Sequence, residues 1–129
     1  MDTLVIVVSN DNYLGSNLSR IVTEEGMRNI RSADLDRIKR EVKKPDRVMI
    51  FDMAWEPIQG RGVLKQLINI SRITGNTVLC VCPNQEEDLK KLSVASRADE
   101  VFIRYDLETR FRTYLKELRI KLVGKEDEG

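Results

Sequence analysis

The sequence predicts a single α/β domain: a five-stranded parallel sheet, doubly wound in the order 2-1-3-4-5, with five helices on its two faces. Three observations predict it. Four short apolar runs and a fifth, more polar strand candidate alternate with five segments of helical periodicity along 129 residues. The runs at Leu4 to Val8, Val48 to Phe51 and Val78 to Cys82 carry no charge, as strands buried on both faces require. No internal repeat and no Pro/Gly/Ser-rich linker divides the chain. Such alternation imposes right-handed crossovers and therefore a parallel sheet. The chosen order puts the more polar second strand at an edge.

The elements follow in order. Leu4-Val5-Ile6-Val7-Val8 is a β-branched central strand, closed by polar Ser9-Asn10-Asp11-Asn12. Leu14, Leu18, Ile21 and Val22 recur at helical spacing up to Gly26, a C-cap signal. Met27 to Ser32 reads as the edge strand, and Asp34 as the cap of a short helix through Leu35, Ile38 and Val42. Val48 to Phe51 is the third strand, ended by Asp52. A loop with Trp55, Glu56 and Pro57 leads to a helix with Leu64, Leu67 and Ile68 inward, stopping at Gly75-Asn76. Val78 to Cys82 is the fourth strand, halted by Pro83, and Glu86 to Ala98 the fourth helix. Val101-Phe102-Ile103 ends at Arg104, and Leu107, Phe111, Leu115, Leu118 and Leu122 trace the last helix. Gly124 is expected to end it, giving a domain over residues 1–123 and a flexible tail over 124–129.

Composition narrows the function classes. The 22 basic and 21 acidic residues leave a net charge of +1, which argues against a nucleic-acid footprint. An aromatic content of 5% offers no base-stacking platform. There is no histidine, so histidine-based triads and the commonest metal ligand are excluded. Cys80 and Cys82 fall on one face of a strand, a poor disulfide geometry, and read as reduced core thiols of a cytoplasmic protein. No apolar run has membrane-spanning length.

In an open parallel sheet, ligands bind at the C-terminal strand ends. Those ends carry Ser9, Asn10 and Asp11, then Asp52, Cys82 and Arg104. Asp52 is either a strand-ending cap or the centre of a site.

The strand-ending Asp52, Gly60 eight positions later, the fourth strand ending thirty positions on at Cys82, and basic Arg104 fifty-two positions on together resemble the receiver domain of two-component response regulators. The resemblance covers essentially the whole chain and implies the flavodoxin-like, CheY-like fold. Such receivers take a phosphoryl group from a sensor histidine kinase onto the aspartate. They use magnesium held by an acidic pair, a Ser or Thr ending the fourth strand, and a Lys ending the fifth. Magnesium wants carboxylate oxygens, and phosphoryl transfer is mostly positioning and charge neutralisation. On that pattern Asp52 is the phospho-acceptor, and Asn10, Asp11, Asp52 and the Ala54 backbone are the metal candidates. Ser9 and Asn10 replace the acidic pair, with Asp11 one place further on. Cys82 replaces the hydroxyl residue, and Arg104 replaces the lysine, keeping its charge in a planar fork suited to a carboxylate. Val101 replaces the usual switch aromatic of the fifth strand.

Three readings are open. In the first, Arg104 pairs with Asp52 in place of magnesium, making a pseudo-receiver that signals through protein contacts without enzymatic activity. In the second, the receiver is phosphorylated on Asp52, with Asp11 or Glu56 recruiting the metal. The third is a flavodoxin-like small-ligand binder or enzyme, for which a glycine-rich phosphate loop after the first strand is lacking. The expected partners are a sensor histidine kinase or other signalling protein, or a second copy through the fourth helix, fifth strand and fifth helix. Arg112, Lys116 and Arg119 are expected to form an exposed cationic stripe on that face. No output domain follows residue 122, so the chain reads as a stand-alone receiver or a segment of a longer regulator.

Overall fold

The structure, a computed structural model, describes residues 2–128, with side chains through residue 124. One parallel sheet is built from β1 (Leu4–Val8), β2 (Arg28–Ser32), β3 (Arg47–Asp52), β4 (Thr77–Cys82) and β5 (Glu100–Ile103), in the order β2-β1-β3-β4-β5. The order is the predicted one. The helices are α1 (Asn12–Glu24), α2 (Leu35–Glu41), α3 (Val63–Ile73), α4 (Glu87–Ala95) and α5 (Arg112–Glu128). A 3-10 turn, Glu56–Gln59, precedes α3; a 3-10 turn, Arg104–Asp106, and a π turn, Leu107–Phe111, join β5 to α5.

Side chains alternate across each strand, so the apolar runs divide between two cores. Val5, Val7, Val48, Ile50, Leu79, Val81 and Phe102 pack beneath α1 and α5. Ile6, Val8, Met49, Phe51, Cys80 and Cys82 pack beneath α2, α3 and α4. Both faces being covered, the central strands needed no polar alternation, while edge strand β2 is only partly buried. The register brings Phe51 opposite Cys80 and Asp52 opposite Val81, and pairs Cys82 with Ile103. Asp52 thus ends β3 between β1 and β4.

Local chemistry sets the helix ends. Asp11 caps α1, its Oδ1 accepting the backbone N–H groups of Tyr13 at 2.9 Å and Leu14 at 3.1 Å. Asp34 caps α2 in the same way, as predicted. Two predicted ends are corrected. α4 stops at Ala95, three residues before Ala98, because Arg97 takes a left-handed φ of 67° and the Ala98 N–H turns back to the Ser93 carbonyl. A glycine normally marks that position, and none is present. α5 continues through Gly124 to Glu128, so Gly124 does not begin a tail. Gly124 lacks the left-handed φ seen at Gly26, Gly62 and Gly75, and one interior glycine costs only about 1 kcal/mol in a helix. Gly129 lies outside the described residues.

α5 is tied to α1 by charge. Arg112 donates to Glu25 at 2.7 Å, Glu24 at 2.9 Å and Glu108 at 2.8 Å. Arg20 on α1 joins Glu24 at 2.8 Å and also bonds Glu108. The guanidinium groups of Arg112 and Arg20 hold the Glu24 carboxyl below the usual carboxylate range, and those of Arg20 and Arg112 do the same for Glu108. At the opposite side of the sheet, burial pushes the Cys80 thiol up to about 12, and burial also raises Cys82.

Two outcomes follow from this packing. At pH 8 a thiol reagent should modify neither cysteine in the native protein and both in denaturant; rapid native labelling would contradict the buried placement. Arg112→Gln should lower the melting midpoint at pH 7 by a few degrees. Glu24 and Glu108 have folded pKa values below their unfolded ones, so their contribution is complete above the unfolded values and lost as pH falls through the folded ones. The gap between wild type and Arg112→Gln should therefore close below about pH 4; thermal melts across pH check it.

Candidate functional site

The parallel register delivers Ser9, Asp52 and Arg104 to one crevice at the C-terminal ends of β1, β3 and β5. Asp52 is 2% exposed, and a buried carboxylate must be compensated by donors or a cation. Both kinds are present. Ser9 Oγ donates to Asp52 Oδ2 at 2.8 Å. The Ala54 backbone N–H donates to Oδ1 at 3.0 Å, and Arg104 Nη2 reaches the same oxygen at 3.3 Å. Ser9 is itself held, since the Asp11 N–H donates to its hydroxyl at 3.1 Å.

Arg104 bridges two carboxylates. Its Nη1 lies 3.8 Å from Asp11 Oδ2, while the other Asp11 oxygen is occupied by the α1 cap. The Arg104 side chain is 31% exposed, but its Nε is buried without an acceptor. The guanidinium therefore sits at the crevice mouth with its inner edge sealed.

The other candidates are placed less centrally. Asn10 is exposed and lines a cavity of about 330 Å³ with Asp11, Asn12, Arg31 and Ser32, on the β2 side of the crevice. Among the described residues it bonds neither Asp52 nor Arg104. Ala54 faces Asp52 with its N–H. Glu56 is exposed in the turn after β3. Cys82 is fully buried with its sulfur 3.7 Å from Ser93 Oγ on α4, and no hydrogen bond joins it to Asp52 among the described residues.

These donors do not suit a magnesium ion. Magnesium needs octahedral oxygen ligands with carboxylate charge. Among the described residues no three His, Cys, Asp or Glu groups are gathered to hold a metal. Asp52 already has three donors, Asp11 has its own cap, and the Arg104 guanidinium lies between them.

The expected exposed cationic stripe on α5 is corrected at Arg112. Arg112 turns to α1 and its glutamates, where the side chain is 19% exposed. Arg119 lies against Gly26, where an added Cβ would come within 3.1 Å of its guanidinium. Lys116 and Arg119 are both exposed, as expected. The helical spacing was right, but the stripe borders α1 rather than β5. The groove beside β5 is lined instead by Glu100, Phe102, Arg110, Tyr114 and Glu117, and encloses about 620 Å³.

Two contributors escaped the sequence reading. Ser9 stands where the resemblance implies an acid, and its hydroxyl, at a strand end, is a natural donor to a neighbouring carboxylate. Asn84, after Pro83, accepts the Tyr105 N–H on its Oδ1 at 2.9 Å and so links the ends of β4 and β5; an asparagine in a turn was its only signal.

No protein-family model and no curated protein sequence matches the chain. Solved structures do. The chain is similar to a CheY-like response regulator receiver domain protein from Methanospirillum hungatei, at 17% identity and a TM-score of 0.70, covering 98% of each chain. It is similar to a response regulator receiver domain protein from Clostridium thermocellum, at 17% identity and a TM-score of 0.73, covering 94% of this chain and 98% of that one. A response regulator from Burkholderia pseudomallei, solved with a phosphorylated aspartic acid and a calcium ion, matches at 12% identity and a TM-score of 0.66, over 96% of this chain and 75% of that one. The architecture of this chain is the CheY-like receiver fold.

Proposed function

We propose that this chain is a signal-transduction module of the receiver type that works through protein–protein contacts, with Asp52 held by Arg104 instead of serving as a phosphoryl acceptor. The observation that carries the reading is the occupied carboxylate. Asp52 accepts from Ser9, Ala54 and Arg104 at 2.8, 3.0 and 3.3 Å. A carboxylate that attacks phosphorus needs a free oxygen and a cation positioned for the incoming phosphoryl group. Here the cation is already bound to the nucleophile. Arg104 supplies the charge that a metal supplies elsewhere, and its planar fork favours a fixed contact over a mobile one.

On this reading the module is not an enzyme and takes no resident metal. Its output is a fixed surface read by another signalling protein. The groove beside β5, with Phe102 and Tyr114 between Glu100 and Glu117, offers aromatic and charged contacts for that protein or for a second copy. No helix among the described residues is long and apolar enough to cross a membrane.

The second reading, phosphorylation on Asp52, draws on the phosphorylated aspartic acid of the Burkholderia pseudomallei neighbour and on the nearness of Asp11 to Arg104. One experiment separates the two. Trp55 is buried three residues from Asp52, and its backbone N–H donates to the Asp52 carbonyl at 3.0 Å. Titration with magnesium and then acetyl phosphate should leave Trp55 fluorescence and intact mass unchanged. An added phosphoryl mass that needs magnesium and is lost in Asp52→Asn would overturn the proposal and establish a working receiver.

The pair should also be measurable as stability. Arg104→Ala should cost about 1–2 kcal/mol, a partly exposed pair being worth less than a sealed one. The cost should shrink in an Asp52→Asn background. A double-mutant cycle in urea with no coupling would remove the ion pair as a constraint.

A further inference from the structure

We infer that Asn84 is a positioning residue that keeps Arg104 on Asp52, by holding the backbone one residue further along. The inference rests on the Arg104–Asp52 pairing proposed above. The contact itself has little slack: 3.3 Å is long for a charge-assisted hydrogen bond, which is normally about 2.7–2.9 Å. A small backbone displacement at Arg104 would break it. An arginine side chain is long and rich in rotamers, so its aim depends on a fixed base.

The base is fixed from three sides. Upstream, the sheet ladder ends at the pair Cys82 and Ile103, immediately before Arg104. Downstream, the π turn buries Leu107 and Phe111, with Phe111 edge-on to Phe102 at 5.2 Å, and Glu108 is gripped by Arg20 and Arg112. Between these anchors, Arg104 and Tyr105 turn in a 3-10 conformation. There the Asn84 carboxamide receives the Tyr105 N–H at 2.9 Å. The Tyr105 ring is 82% exposed, so its side chain does not hold the segment.

The Asn84 loop is built for this reach. Pro83 closes β4, and Gln85 takes a left-handed φ of 68°, a conformation unfavourable for a non-glycine residue. Such backbone recurs where surrounding structure demands it. The bond joins the ends of β4 and β5 over the crevice, outside the core, where its loss need not unfold the domain.

The buried Arg104 Nε–H, which has no acceptor, provides the reporter. Its hydrogen exchange can be followed by NMR in the intact chain, with exposed Arg61 as the unprotected reference. Wild type should show Arg104 Nε–H protected relative to Arg61. Asn84→Ala should raise the Arg104 exchange rate by about fivefold, the loss of roughly one hydrogen bond, with sheet amide protection unchanged. Asn84→Asp keeps an acceptor oxygen and should restore the wild-type rate. Protection in wild type that is unaltered in Asn84→Ala, or a failure of Asn84→Asp to restore it, would overturn the positioning role and leave the Arg104–Asp52 pair standing. An unprotected Arg104 Nε–H in wild type would overturn the positioning role, whereas the pair itself stands or falls by the double-mutant cycle with Asp52.

Discussion

A carboxylate buried at the end of a parallel sheet sets the terms for the rest of this structure. Asp52 sits between two apolar strands with almost no access to water. An ionised group so placed costs several kcal/mol unless it is paired and hydrogen-bonded. Three separate parts of the chain meet that cost: the hydroxyl after β1, the backbone N–H two residues beyond Asp52, and the guanidinium after β5. Each comes from a different turn, so the crevice exists only when the strands are in register.

That requirement explains why so much of the remaining charge is spent between α1 and the start of α5. Arg20, Glu24, Glu25, Glu108 and Arg112 form one connected network. Single exposed ion pairs contribute little, whereas a network can hold a geometry. Here it ties Glu108 and Arg112, on the segment that follows Arg104, to α1. Asp11 contributes twice, capping α1 with one oxygen and facing Arg104 with the other. The receiver fold thus carries an Arg104–Asp52 ion pair at its C-terminal strand ends, with Asp11 engaged beside it.

How much of this was legible depended on the range of the interaction. The strands were readable because burial on both faces leaves continuous apolar runs, and the strand order because alternation with helices admits few topologies. Asp34 as a helix cap was readable from its own neighbours. The end of α4 was not, since its left-handed residue is Arg97 rather than glycine. Gly124 misled in the other direction, because a glycine ends a helix only when the backbone turns left-handed there.

The sequence by itself determined the α/β architecture, the sheet order and the arrival of Asp52 and Arg104 at the same edge, all consequences of periodicity and topology. Tertiary structure alone decided what those residues do there. It joined Ser9 to Asp52 across 43 positions, Tyr105 to Asn84 across 21, and Arg112 to Glu25 across 87. It also placed the Cys82 sulfur against the Ser93 hydroxyl of α4. The reason is physical: periodicity records which face a residue occupies, but a hydrogen bond or ion pair depends on ångström-scale separations between distant segments, which only the packed chain defines.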